Sequence, residues 1–143
     1  KLIILPTGDG MALVFFNSVH AAFKCAVDVG KKCYKSSNIG LRNGLYTGPV
    51  VPVKDINDNP NVSGHGINMA QRCMDAGDND HILISNGVHM NVSEMDIPGL
   101  KFEDWGPVIV KHGSTVHLHT AYGPSFGRTE FPDWSGTKKA EYK

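Results

Sequence analysis

Two short apolar runs open the chain, Leu2 to Leu5 and Met11 to Phe16. The Gly-flanked turn Thr7-Gly8-Asp9-Gly10 between them predicts a hairpin with Asp9 near its tip. After Asn17 and Ser18, both good N-cap residues, Val19, Ala22, Phe23, Ala26 and Cys33 recur at helical spacing while Lys24, Lys31 and Lys32 fall to solvent. This pattern predicts an amphipathic helix packed on the hairpin. Ser36 to Asn38 form a polar break, and Ile39 to Tyr46 with Val50 to Val53 then read as one long strand kinked at Thr47-Gly48-Pro49. A polar loop follows over Lys54 to Pro60. Helical periodicity returns from Ile67 to Ala76 and stops at Gly77, a C-cap, ahead of an apolar strand from His81 to Ser85. Another helix is expected over Asn86 to Met95. Phe102 to Val110 and Thr115 to Tyr122 flank Lys111-His112-Gly113-Ser114 as a second hairpin. Residues 123–143 carry Pro124, Gly127, Pro132 and Gly136 without periodicity and read as a tail or linker. The mixture favours an α+β or α/β sandwich over an all-α bundle.

Composition narrows the function classes. At 143 residues, 41% hydrophobic and 20% charged, the chain suits one folded domain rather than a disordered segment. Fourteen basic residues balance fourteen acidic ones, which removes the broad attraction that a nucleic-acid binder or polybasic membrane anchor relies on. No apolar stretch approaches the roughly 20 residues of a membrane span, and no signal-peptide pattern opens the chain. Cys25, Cys33 and Cys73 form an odd set without CxxC spacing, which argues against a disulfide framework and for a reducing, cytoplasmic compartment. His117 and His119 sit two apart on an expected strand and so share a face. With no further ligand identifiable nearby, they read as solvated or packed strand histidines rather than a metal site.

Two places carry candidate chemistry. Asp9, between two glycines, presents a hard oxygen donor suited to Mg2+ or Mn2+, although Gly-Asp-Gly alone is also ordinary turn chemistry. Asn68 and Arg72 lie four apart at the start of the expected helix, so both project from one face. Arg72 can fork onto phosphate oxygens and Asn68 can hold a sugar oxygen, while Gly64-His65-Gly66 lets a ligand approach the helix N-terminus. Taken alone, the pair reads more readily as solvated surface than as a site.

In order and at matching intervals, LPTGDGMALVFF, LRNGLYTGPVV, NVSGHGINMAQRCMDAGDNDHILIS and FEDWGPVIVKHG resemble the catalytic domain of class III adenylate/guanylate cyclases. The resemblance covers about residues 2–122. It implies a ferredoxin-like α+β sandwich, present here as a partial domain (residues 1–122) followed by the tail, and a head-to-tail homodimer with nucleotide sites at the interface. Asp9 matches the second of two metal-binding aspartates, Asn68 the residue that orients the ribose, and Arg72 the arginine that stabilises the transition state. The implied reaction is attack of the ribose 3′-oxygen on the α-phosphorus of a nucleoside triphosphate, with two Mg2+ or Mn2+ ions per site.

The chain also departs from the family's pattern. The first metal aspartate belongs to a segment upstream of Lys1, so the chain is expected to be a fragment of a longer signalling protein with further domains, or a truncated relative. Leu5 and Asn61 stand at the base-contacting places, where adenylate cyclases carry Lys and Asp or Thr. The base is therefore left open, pyrimidines included, with ATP favoured on frequency. Lys111 is a weaker candidate for contact with the triphosphate. The competing reading is an inactive cyclase-homology domain that senses nucleotide or dimerises.

Overall fold

The run Ile82-Leu83-Ile84-Ser85 is buried at every position, as befits a strand covered on both faces. A computed structural model describes residues 2–8, 10–36, 38–58, 60–110, 113–132 and 138–139, with side chains omitted at 7, 60, 61, 138 and 139. Along the chain run β1 (Leu2–Thr7), β2 (Gly10–Phe15), α1 (Val19–Cys33), β3 (Asn43–Leu45), β4 (Val51–Lys54), β5 (Pro60–Ser63) and α2 (His65–Asp75). They are followed by β6 (Ile82–Ser85), α3 (Asn86–Val92), β7 (Lys101–Ile109), β8 (Thr115–Gly123), β9 (Phe126–Gly127) and β10 (Lys138–Lys139). The central sheet is ordered β10-β7-β8-β6-β3, with β9 also on β8. Its β3–β6 pair is parallel and its other pairs are antiparallel.

The alternation along β6 divides the core. Ile82 and Ile84 pack with Phe23, Ala26 and Val27 of α1 and with Val88 and Val92 of α3. Leu83 faces the other way, into Met69 and Cys73 of α2, Trp105 and Val108 of β7, and Leu118 of β8. Each fully buried side chain of this size contributes about 1.5–3 kcal/mol relative to exposure. Ser18 starts α1 as expected, its Oγ accepting the Ala21 N–H at 3.0 Å. Helix α2 lies so close to β3 that a Cβ on Gly44 would stand 2.2 Å from the Met74 amide nitrogen. Only glycine permits that approach.

Two expectations are corrected. Ile39 to Val53 do not form one kinked strand. Asn43–Leu45 join the central sheet, whereas Val51–Lys54 pair with Pro60–Ser63 in a separate hairpin. Pro49 has no N–H to extend a ladder, and its carbonyl is taken by the Gly66 N–H at 2.9 Å, which turns the chain toward α2. The polar loop between β4 and β5 is an Asx turn, with Asp55 Oδ1 accepting the Asn57 N–H at 2.8 Å. Nor is the segment after Gly123 featureless. Phe126 is fully buried against α1, Thr120 Oγ1 donates to the Arg128 carbonyl, and Phe131 stacks on Trp105 at 4.6 Å. A two-residue strand is too short to show a period, which is why the sequence reads as aperiodic there.

The β1–β2 hairpin stands as its own two-stranded sheet. It meets the β4–β5 hairpin through Ile3, Val14 and Val62, with Leu5, Phe16, Val50 and Ile67 packed around them. Among the described residues no helix is long and apolar enough to cross a membrane.

Candidate functional site

Helix α2 displays the amide–guanidinium pair. Asn68 is exposed, and Arg72, one turn on, is partly buried and reaches the β7–β8 turn. There its Nη1 donates to Ser114 Oγ at 3.4 Å, and it also approaches Met69 Sδ at 3.5 Å. The guanidinium is thus oriented by two long, weak contacts that a phosphate would readily displace. The helix N-terminus is less open to an anion than the sequence suggested, because the Gly66 N–H already serves the Pro49 carbonyl.

Two of the other sequence-derived residues fall on the hairpins. Leu5 is half-buried in β1, and Asn61 lies in β5, which packs against β1. The ladder of β1 and β2 closes at Thr7↔Gly10. Asp9 and Lys111 themselves lie outside the described residues. The structure therefore joins Asn68 with Arg72 and brings the strands of Leu5 and Asn61 together, without describing the metal ligand.

A cleft of about 230 Å3 opens where the ends of β3 and β6 meet the start of β8, lined by Tyr46, Thr47, Met69, Asn86, Thr115 and His117 among others. It is smaller than the roughly 300–1,000 Å3 of small-molecule sites, so it does not enclose a nucleoside triphosphate by itself.

A third constellation was not foreseen. On β8, His117 and His119 stack at 4.8 Å, and His89 of α3 stacks on His119 at 3.9 Å. Asp104 of β7 completes the group, its Oδ1 accepting from His117 Nε2 at 2.7 Å. His119 Nε2 donates to Asn86 Oδ1 at 3.0 Å. Burial pushes the His119 imidazole down to about 4, and the neighbouring His89 and His117 add to the fall against the opposing charge of Asp104. His89 is lowered as well, mainly by burial. For Asp104 partial burial works upward, but hydrogen bonds from the Gly106 N–H and His117 outweigh it and hold the carboxyl below its ordinary range. His119 is therefore neutral at pH 7 beside an ionised carboxylate. The signal in the sequence was Gly106 inside a strand, which marks a bulge and a re-aimed neighbour.

The cysteines play no part in either group. All three are free thiols, and burial pushes Cys73 up to about 12, making it an inert core residue.

No protein-family model and no curated protein matches the chain. Among solved structures, the guanylate cyclase domain of RhGC from Catenaria anguillulae, in complex with GTP, is similar with a TM-score of 0.68. The chain has the fold of a guanylate cyclase domain. The likeness spans 85% of this chain and 72% of the other at 19% identity, so it concerns the path of the backbone. The α+β expectation and the resemblance drawn from the four sequence segments both hold at that level.

Proposed function

We propose that this cyclase-fold chain is part of a nucleotidyl cyclase catalytic domain, converting a nucleoside triphosphate to a 3′,5′-cyclic nucleotide and pyrophosphate for intracellular signalling in the cytoplasm. The observation that carries the reading is the placement of Asn68 and Arg72 on one face of α2 within a cyclase fold. In this reading Asn68, exposed one turn ahead of Arg72, holds the ribose. Arg72 supplies a charge that persists as negative charge builds on the α-phosphate, an effect of about 2.7–4 kcal/mol for comparable electrostatic groups. Two Mg2+ or Mn2+ ions, when bound, would polarise the phosphate and lower the pKa of the 3′-hydroxyl. Asp9 is the ligand this chain contributes. Leu5 and Asn61 line the base, and since Leu5 offers no hydrogen bond, Asn61 alone reads its polar edge. ATP is the substrate favoured from the sequence, and GTP, the ligand of the similar domain, stands beside it.

The catalytic unit is a homodimer with sites between protomers. In support, the outer face of the β1–β2 hairpin leaves Leu2, Ile4, Met11 and Leu13 exposed, an apolar surface that a second copy would cover. Residues 1–122 form most of the catalytic unit, and Phe126 and Phe131 beyond them pack onto it.

The test is pyrophosphate release from each of the four nucleoside triphosphates by the full-length protein with Mn2+. Turnover of at least one is expected. Arg72→Ala should slow it at least tenfold with an unchanged circular dichroism spectrum, and Asp9→Ala should abolish it. Nucleotide binding without turnover would instead favour the inactive sensor reading, to which the apolar Leu5 at a base-contacting place already lends weight.

A further inference from the structure

Two imidazoles at alternate positions of a strand share a face, but a third donor is what turns such a pair into a site. Here that donor comes from the neighbouring strand through an irregularity in its ladder. Between Asp104 and Gly106 the register of β7 on β8 shifts, Gly106 adopts a φ of 69°, and Trp105 turns into the core on the opposite face. A positive φ of this kind favours glycine, and the bulge re-aims the preceding side chain. Asp104 consequently lies directly opposite His119 while its Oδ1 reaches His117 Nε2. One ligand atom from each of Asp104, His117 and His119 lies within 4.8 Å of the other two.

The contacts behind these atoms are those that orient metal ligands. The Gly106 N–H donates to Asp104 Oδ1 at 2.7 Å, Asn86 Oδ1 accepts from His119 Nε2, and His89 stacks flat on the His119 ring with 12° between planes. His119 is buried and held from two sides. Asp104 and His117 have side chains 56% and 32% exposed, so both can adjust and solvent can reach the centre.

We propose that Asp104, His117 and His119 form a binding site for a divalent transition-metal ion of the Zn2+ class, separate from the ions expected at Asp9. Two imidazoles and one carboxylate suit Zn2+ or Co2+, with water in the fourth position, whereas Mg2+ prefers an all-oxygen octahedron. Ligands about 2.0–2.2 Å from a tetrahedral ion stand about 3.5 Å apart, so closure asks for a movement of about an ångström, which the two exposed side chains supply. On closure the Asp104–His117 hydrogen bond gives way to the ion, and the His117 ring takes its Nδ1–H tautomer. The ion would then tie the start of β8 to the β7 bulge beside the cleft that His117 lines.

Calorimetric titration of the full chain with Zn2+, and absorption spectroscopy with Co2+, test this without reference to cyclase activity. One tightly held ion per chain is expected, with Co2+ bands of nitrogen–oxygen ligation and no thiolate charge transfer, undiminished by excess Mg2+. Asp104→Asn and His117→Gln, both at partly exposed positions that leave the core intact, should each weaken binding at least tenfold, while His20→Gln leaves it unchanged. Absence of binding at millimolar Co2+, affinity unaltered in both variants, a thiolate spectrum, or displacement by Mg2+ would each overturn the proposal.

Discussion

The central sheet and the paired hairpins are built from the same kinds of apolar residue and end in different states. In the sheet, helices cover both faces and Ile82, Leu83 and Ile84 are all buried. In the hairpins only one face is covered. Ile3, Val14 and Val62 pack together, while Leu2, Ile4, Met11, Leu13, Val51 and Val53 remain exposed. A two-stranded ribbon is marginal in water by itself, and an exposed apolar face is a surface for a partner. The hairpins also carry Leu5 and Asn61, whereas Arg72 leans on Ser114 beside the sheet's own β8. Two of the residues proposed for a shared site thus sit where a single chain is least self-sufficient, which fits the proposed homodimer.

The sharpest way to break this contrast is to empty each core in turn. Phe126→Ala should cost about 3–5 kcal/mol because the ring is fully buried against α1. Ile3→Ala, in the small hairpin cluster, should cost about 2 kcal/mol, the low end for such truncations. Equal losses in urea unfolding would erase the distinction between the two regions. A smaller effect is expected at Gly44, where an added Cβ meets the backbone of α2 and must force helix and strand apart, costing about 1–3 kcal/mol. Wild-type stability in Gly44→Ala would mean that α2 is not pressed on the sheet.

The mildest probe is pH, and it acts on the sheet through His81. This ring is fully buried, with Nδ1 accepting the Asp78 N–H at 2.8 Å and Nε2–H donating to the Glu130 carbonyl at 2.7 Å. Burial lowers its pKa below the ordinary 6.5, against the carbonyl of Glu130, and the charge of Arg128 lowers it further while Asp78 opposes. The unfolded chain therefore binds the proton more readily, so stability is full above about pH 6.5 and falls as pH drops below it. His119, lowered in the same direction, adds to the loss. The urea midpoint should be lower at pH 5 than at pH 7, and a midpoint that rises on acidification would contradict the neutral, doubly bonded His81.

Much of the fold is legible where a local pattern suffices. The Gly-flanked turn announces β1–β2, Ser18 announces α1, and the apolar runs around residues 111–114 announce β7–β8. The boundaries of α2 and α3 shift by a few residues, as helix ends commonly do. Illegible were the departure of β4 from the central sheet, the existence of β5, and the docking of Phe126. Each depends on a partner far away in the chain. The site divides the same way. A spacing of four places Asn68 and Arg72 on one helix face, and a spacing of two places His117 and His119 on one strand face.

No spacing rule reaches from His117 to Asp104, 13 residues back across a turn and a bulge. Periodicity, caps and turn chemistry act over a handful of bonds, so the amino-acid order alone settles which residues share a face of their own element. Register between strands, the tilt of a bulged side chain and the burial that keeps His119 neutral arise when separate faces meet. Those belong to packing, because burial and cross-strand contact come into being only once distant segments exclude water together.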